Sequence, residues 1–127
     1  MNRGGFTLIE LLIVVVIIGV LAAIAVPKFA STKGKAYVAT MKSDLKNLAS
    51  AQESYYYEHS TYYMGAVPNA AFAYNPSKGV AINILSADVG GFSATSAYAG
   101  IANTCGIFVG SHAAPPPATV EGSPACN

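Results

Sequence analysis

Residues 1–27 read MNRGGFTLIELLIVVVIIGVLAAIAVP, and the run from Phe6 to Val26 holds a single charged side chain, Glu10. Its twenty-one residues at about 1.5 Å each make ~31 Å of α-helix, the thickness of a bilayer's hydrocarbon layer. Fifteen of them are Leu, Ile, Val or Phe, and each favours insertion by roughly 0.3–0.6 kcal/mol. The stretch is therefore long and apolar enough to span a membrane in spite of its acid. A carboxylate in such surroundings needs a cation or a hydrogen-bond donor. No Lys or Arg lies within the run, so the expected partner comes from outside it.

The order of features differs from that of a secretory signal, whose apolar core precedes its cleavage site. Here the small pair Gly4-Gly5 precedes the apolar run, and a cut after Gly5 keeps the whole span and makes Phe6 the new N-terminus. That free amine lies one helical turn from Glu10 of its own chain, or within reach of Glu10 in a neighbour stacked with a small axial offset. The second arrangement builds a filament. The plainer alternative for Glu10 is an anion favoured by the helix macrodipole, with no role in assembly.

Residues 3–12, RGGFTLIELL, closely resemble the class III signal of type IV pilins and type II secretion pseudopilins. The resemblance implies that a prepilin peptidase cuts after Gly5 and methylates Phe6, and that Glu10 docks the subunit onto a growing filament. It extends through Gly19 and Pro27, where family helices loosen or kink when packed, and fades beyond about residue 60. The implied partners are the peptidase, an inner-membrane assembly platform, membrane lipid before assembly, and further copies of the chain in a helical filament. The implied location is the bacterial inner membrane and then an extracellular pilus, with the head periplasmic or extracellular. One signal opposes this topology. Arg3 precedes the span, but Lys28, Lys33 and Lys35 follow it, and flanking cations favour the cytoplasmic side. The leader, together with two cysteines suited to an oxidising compartment, supports export.

With 127 residues, 10% of them charged, and a net charge of +1, the chain has room for one modest domain besides its stalk. Val38, Met41, Leu45, Leu48, Gln52 and Tyr55 recur at intervals of three and four, while Lys42, Asp44, Lys46, Asn47, Ser50 and Glu53 fall elsewhere on the wheel. An amphipathic helix is thus expected to continue the span. From residue 6 to residue 58 there are 53 residues, or ~80 Å of helix. Residues 60–77, with Gly65, Pro68, Asn69, Asn75 and Pro76, read as a loop. Strands are expected at 80–86, 92–98 and 105–109, joined as an antiparallel meander. Phe92, Ala94, Ser96 and Tyr98 share one face, and residues 81–85 are apolar enough to bury against the helix stripe. The expected fold is α+β and pilin-like: a long N-terminal helix, part membrane-spanning and part amphipathic, packed on a small antiparallel sheet of about three strands. Its segments are a leader at 1–5, an assembly helix at 6–27, an amphipathic continuation at 28–59 and a globular head at 60–127.

Cys105 and Cys126 are the only cysteines. In an exported domain they are expected to pair and close the segment containing Pro115, Pro116 and Pro117; in a reducing compartment they stay separate thiols. Their spacing resembles the C-terminal disulfide-bounded loop of many type IV pilins. Scattered bases and near-zero net charge make nucleic acid an unexpected direct ligand. No cofactor or metal is expected from the placement of His59 and His112, and no Ser, His and acid grouping can be read from spacing, so an enzyme is not expected. Asp88 and Glu121 are the only acids after residue 58. A calcium loop like that of the major pseudopilin is therefore not expected, which favours a pilus subunit. Tyr55, Tyr56 and Tyr57, close to Tyr62 and Tyr63, are candidates for an aromatic interface, since aromatic side chains bury large areas and their hydroxyls find partners. With Phe29 and Tyr37 they also raise the alternative of an electron-conducting series. The leading expectation is a type IV pilus subunit serving adhesion, motility or DNA uptake, and the alternative is a type II secretion pseudopilin.

Overall fold

The computed structural model describes Met1 and residues 4–127; Arg3 of the leader lies outside the described residues. Helix α1 runs from Leu8 to His59 over 52 residues. Thr7 caps its start: the backbone N–H and Oγ1 of Thr7 donate to Glu10 Oε2 (2.8 and 2.7 Å), and the Glu10 N–H donates to Thr7 Oγ1 (3.3 Å). This Thr-x-x-Glu reciprocity is a capping box. At the other end Ser60 takes a left-handed φ of 57° and its N–H donates to Tyr56 O at 2.7 Å, the conformation that ends many helices. Gly19 and Pro27 lie inside the continuous helix.

The chain divides into two compact units, Met1–Gly34 and Lys35–Asn127. In the first, every described residue from 4 to 33 is exposed, including Leu8, Ile9 and the aliphatic side chains up to Val26.

The second unit holds the rest of α1, the loop from 60 to 79, and a four-stranded antiparallel sheet in the order β1-β2-β3-β4: Val80–Asp88, Gly91–Tyr98, Thr104–Gly110 and Ala125–Cys126. Met41, Leu45 and Leu48 from the helix, Tyr63 and Phe72 from the loop, and Val80, Ile82, Ile84, Phe92, Ala94 and Ile107 from the sheet form one core. Each fully buried aliphatic side chain contributes about 1.5–3 kcal/mol. Register is set at both ends of the sheet. Val80 pairs with Tyr98 and Asp88 with Gly91, and at the turn Gly110 has φ +73° with its α-carbon facing Gly90 O so closely that a Cβ would come within 1.9 Å of it. Only glycine fits there.

Two expectations are corrected, and the expected sheet of about three strands is extended by one short strand. The sheet has four strands, because the disulfide between Cys105 and Cys126 and the Asn127 N–H donating to Thr104 O add a two-residue β4 that has no readable periodicity. Residues 81–85 do not bury as a run: Ile82 and Ile84 point inward, and a bulge between Ile84 and Ser86 leaves Leu85 exposed. Asp44 sits in the core rather than on the polar face of the helix. Its Oδ2 accepts from the Ser77 N–H and its Oδ1 from Ser77 Oγ, both at 2.9 Å.

Candidate functional site

At the helix N-terminus the structure answers the question raised by Glu10 in an unexpected way. The partner lies inside the apolar stretch, since both donors that reach the carboxylate belong to Thr7. A hydroxyl and the free amides at a helix start supply donors without any Lys or Arg. Both bonds fall on Oε2; Oε1 has no hydrogen-bond partner among the described residues. The carboxylate is thus oriented but still able to accept from an external cation. Gly5 and Phe6 precede the helix in exposed chain without regular secondary structure; Phe6 is 80% exposed, and a Cβ placed on Gly5 would meet no atom within 4 Å. The bond between them is accessible. C-terminal to it, α1 is long and apolar enough to cross a membrane. A Cβ on Gly19 would likewise meet open space, so the notch is available to a neighbouring helix.

The tyrosines of the helix end have separate surroundings. Tyr55 is half-buried, stacked on His59 at 4.0 Å and edge-on to Tyr63 and Phe72. Tyr56 packs on Tyr62 at 4.7 Å. Tyr57 is 91% exposed. Tyr37, by contrast, stacks on Tyr98 at 4.0 Å. The Tyr62 hydroxyl donates to Glu53 Oε1 at 2.8 Å, and burial, then that bond to an anion, push its pKa up to about 12. Burial, reinforced by Asp44, also raises Tyr74, whose hydroxyl donates to Asp44 O at 2.8 Å.

Two anchors hold the loop between helix and sheet. Fully buried Gln52 accepts from the Tyr63 N–H (2.7 Å) and donates through Nε2 to Tyr63 O (2.9 Å), satisfying the two backbone groups with one amide. Asp44 fixes Ser77 just ahead of β1. At the opposite side of the sheet, Ser93, Ser86, His112 and Asp88 form a chain: Ser86 Oγ lies 2.7 Å from Ser93 Oγ and 2.8 Å from His112 Nδ1, and His112 Nε2 lies 3.0 Å from Asp88 Oδ1. The bond to His112, helped by the Gly90 N–H, holds the Asp88 carboxyl below its usual range. The sequence does not show this Ser, His and acid grouping, because 26 residues separate Ser86 from His112. Ser86 Oγ is already shared with Ser93, so the arrangement clasps the segment after β3 to the β1–β2 turn.

The family model described as "Prokaryotic N-terminal methylation motif" matches residues 1–26. The N-terminal part of the chain is thus similar to that of type IV pilins and pseudopilins. The chain is 51% identical over 61 residues to the type IV major pilin protein PilA of Myxococcus xanthus, covering 48% of this chain and 27% of that one. It is 43% identical over 61 residues to the type II secretion system core protein G of Pseudomonas aeruginosa, covering 48% and 43%. A fimbrial protein of Pseudomonas aeruginosa is 44% identical over 66 residues, covering 52% and 43%. The chain thus spans less than half the length of each of these relatives. The whole molecule has the architecture expected of such subunits, one long N-terminal helix packed on an antiparallel sheet.

Proposed function

We propose that the chain is a structural subunit of a type IV pilus, polymerised through its N-terminal helix. The observation that carries this reading is the Glu10 carboxylate, oriented by Thr7 through Oε2 and with Oε1 unpaired among the described residues, at the start of an uncovered apolar helix. In the proposed sequence of events the chain resides in the bacterial inner membrane, a prepilin peptidase removes residues 1–5 and methylates the Phe6 amine, and an assembly platform extracts the subunit. The amine of an incoming copy neutralises Glu10 of its neighbour, and the apolar surface of residues 8–26 exchanges lipid for other helices. Gly19 and Pro27 are the positions at which the helix loosens on packing, the first by lacking a side chain and the second by lacking one backbone bond. The heads, residues 60–127 with the upper part of α1, form the outer surface, with the Cys105–Cys126 loop exposed and Tyr57 free to meet a neighbour.

Glu10→Ala is expected to leave processing and membrane insertion intact and to abolish incorporation into filaments. Thr7→Val, which removes the hydroxyl but keeps the carboxylate, should still assemble. Normal filament yield from Glu10→Ala contradicts the proposal. A secretion pseudopilin is the second reading, favoured by the 43% identity to core protein G; the two separate on whether fibres sheared from the cell surface contain this chain.

A further inference from the structure

The charges of the second unit are divided between its two ends. Its lysines are Lys35, Lys42, Lys46 and Lys78, all exposed. The first three occupy one helix stripe, at intervals of seven and four residues. Lys78 follows Ser77, which Asp44 holds against the same stretch of helix. The exposed acids lie at the other end. Glu53 is bonded to Tyr62, the Tyr62 N–H donates to Asp88 O, Glu121 contributes to the field on Tyr62, and Glu58 lies in the last turns of α1. His112 faces Asp88 at this end. None of Lys35, Lys42 and Lys46 forms an ion pair among the described residues; the one ion pair found there is His112 with Asp88. Lys42 and Lys46, four apart on a helix, repel each other. The fold therefore gains nothing from this stripe.

Glu53 lies on the same stripe, seven residues beyond Lys46, or about 10 Å along the axis. That is too far for contact within one chain. A parallel copy displaced along the axis by about 10 Å brings its Glu53 level with Lys46, and a displacement of about 16 Å brings it level with Lys42. The stripe is thus complementary to itself only when shifted. A contact of this kind is heterologous, since it joins the lysine end of one copy to the acidic end of the next and leaves the opposite end of each copy open to a further one. We propose that the Lys35–Lys42–Lys46 stretch docks on the Glu53 end of a second, parallel copy of this chain, and that this contact between globular units fixes the axial stagger between subunits. It rests on the filament reading and adds to it a contact independent of Glu10.

The test is a charge swap in the full-length chain, with filament yield as readout. Lys46→Glu and Glu53→Lys are each expected to lower yield at least about tenfold by setting like charges together, and the two combined in one chain to restore it. A chain carrying Lys46→Cys and Glu53→Cys should give a ladder of multimers on oxidation, since ~10 Å is beyond the reach of a bridge within one chain. Full yield from both single reversals, or monomer alone after oxidation of assembled filaments, overturns the stagger contact and leaves assembly through Glu10 standing. An unsubstituted chain that never polymerises overturns both.

Discussion

Gln52→Leu isolates the interaction on which the helix-to-sheet loop depends. The substitution keeps the side chain's bulk and apolar packing but removes both bonds to Tyr63, in a place where Gln52 has no solvent exposure. Each lost bond forgoes about 0.5–1.5 kcal/mol, and each backbone group left buried without a partner costs about 1–3 kcal/mol. Because these overlap, and the gain from burying an apolar group offsets part of them, the expected loss is about 3 kcal/mol. For a unit of this size that lowers Tm by about 12–24 °C. The assay is thermal unfolding of the detergent-solubilised chain followed by near-ultraviolet circular dichroism, because the tyrosines around Gln52 report on the head while far-ultraviolet signal is dominated by a stalk that detergent keeps helical. Gln52→Glu is the control. As a neutral acid it donates to Tyr63 O and accepts from the N–H, so burial favours its protonated form and raises its pKa; the stability it recovers is present at low pH and lost as pH rises through that folded value. A loss under about 1 kcal/mol in Gln52→Leu, or a Gln52→Glu chain that gains nothing on acidification, refutes the clamp.

Two other outcomes follow from the head. Since Tyr62 ionises near pH 12 when folded and near pH 10 when unfolded, its neutral form supports the fold fully below pH 10, and that support disappears as pH rises toward 12; Tyr62→Phe should flatten this alkaline loss in a pH series of urea midpoints. Replacing Cys105 and Cys126 by serine, which opens a connection spanning 21 residues, should cost about 3 kcal/mol and speed hydrogen exchange at the Asn127 amide; an unchanged urea midpoint contradicts the stapling role of the bridge.

The stripe Val38, Met41, Leu45, Leu48 and Gln52 was legible because a helix facing one core repeats its apolar positions every three or four residues. The three long strands were legible from runs of β-formers between glycine turns. Asp44 was not, because the feature that reverses its polarity is Ser77, whose backbone and hydroxyl arrive from 33 residues away. The Ser86–His112–Asp88 chain fails to show for the same reason, being assembled by sheet register. Strand β4 is too short for any period. Thr7 is different: Thr7-Leu8-Ile9-Glu10 is a capping box readable in the sequence, although the apolar run around it draws attention to charge partners rather than to caps. At the site itself, the leader and the acid are visible in residue order, whereas the placing of both Thr7 donors on one oxygen of Glu10 is a matter of side-chain geometry.

The claim on which the account turns is a contact between copies, and mixed labelling measures it directly. Filaments assembled from one population carrying nitrogen-15 at the Phe6 amine and another carrying carbon-13 at the Glu10 carboxyl give solid-state dipolar coupling only between chains. The account predicts strong coupling, corresponding to a nitrogen-to-carboxylate separation of about 4 Å or less. Absence of coupling in well-formed filaments whose Phe6 amine is free of its leader contradicts it.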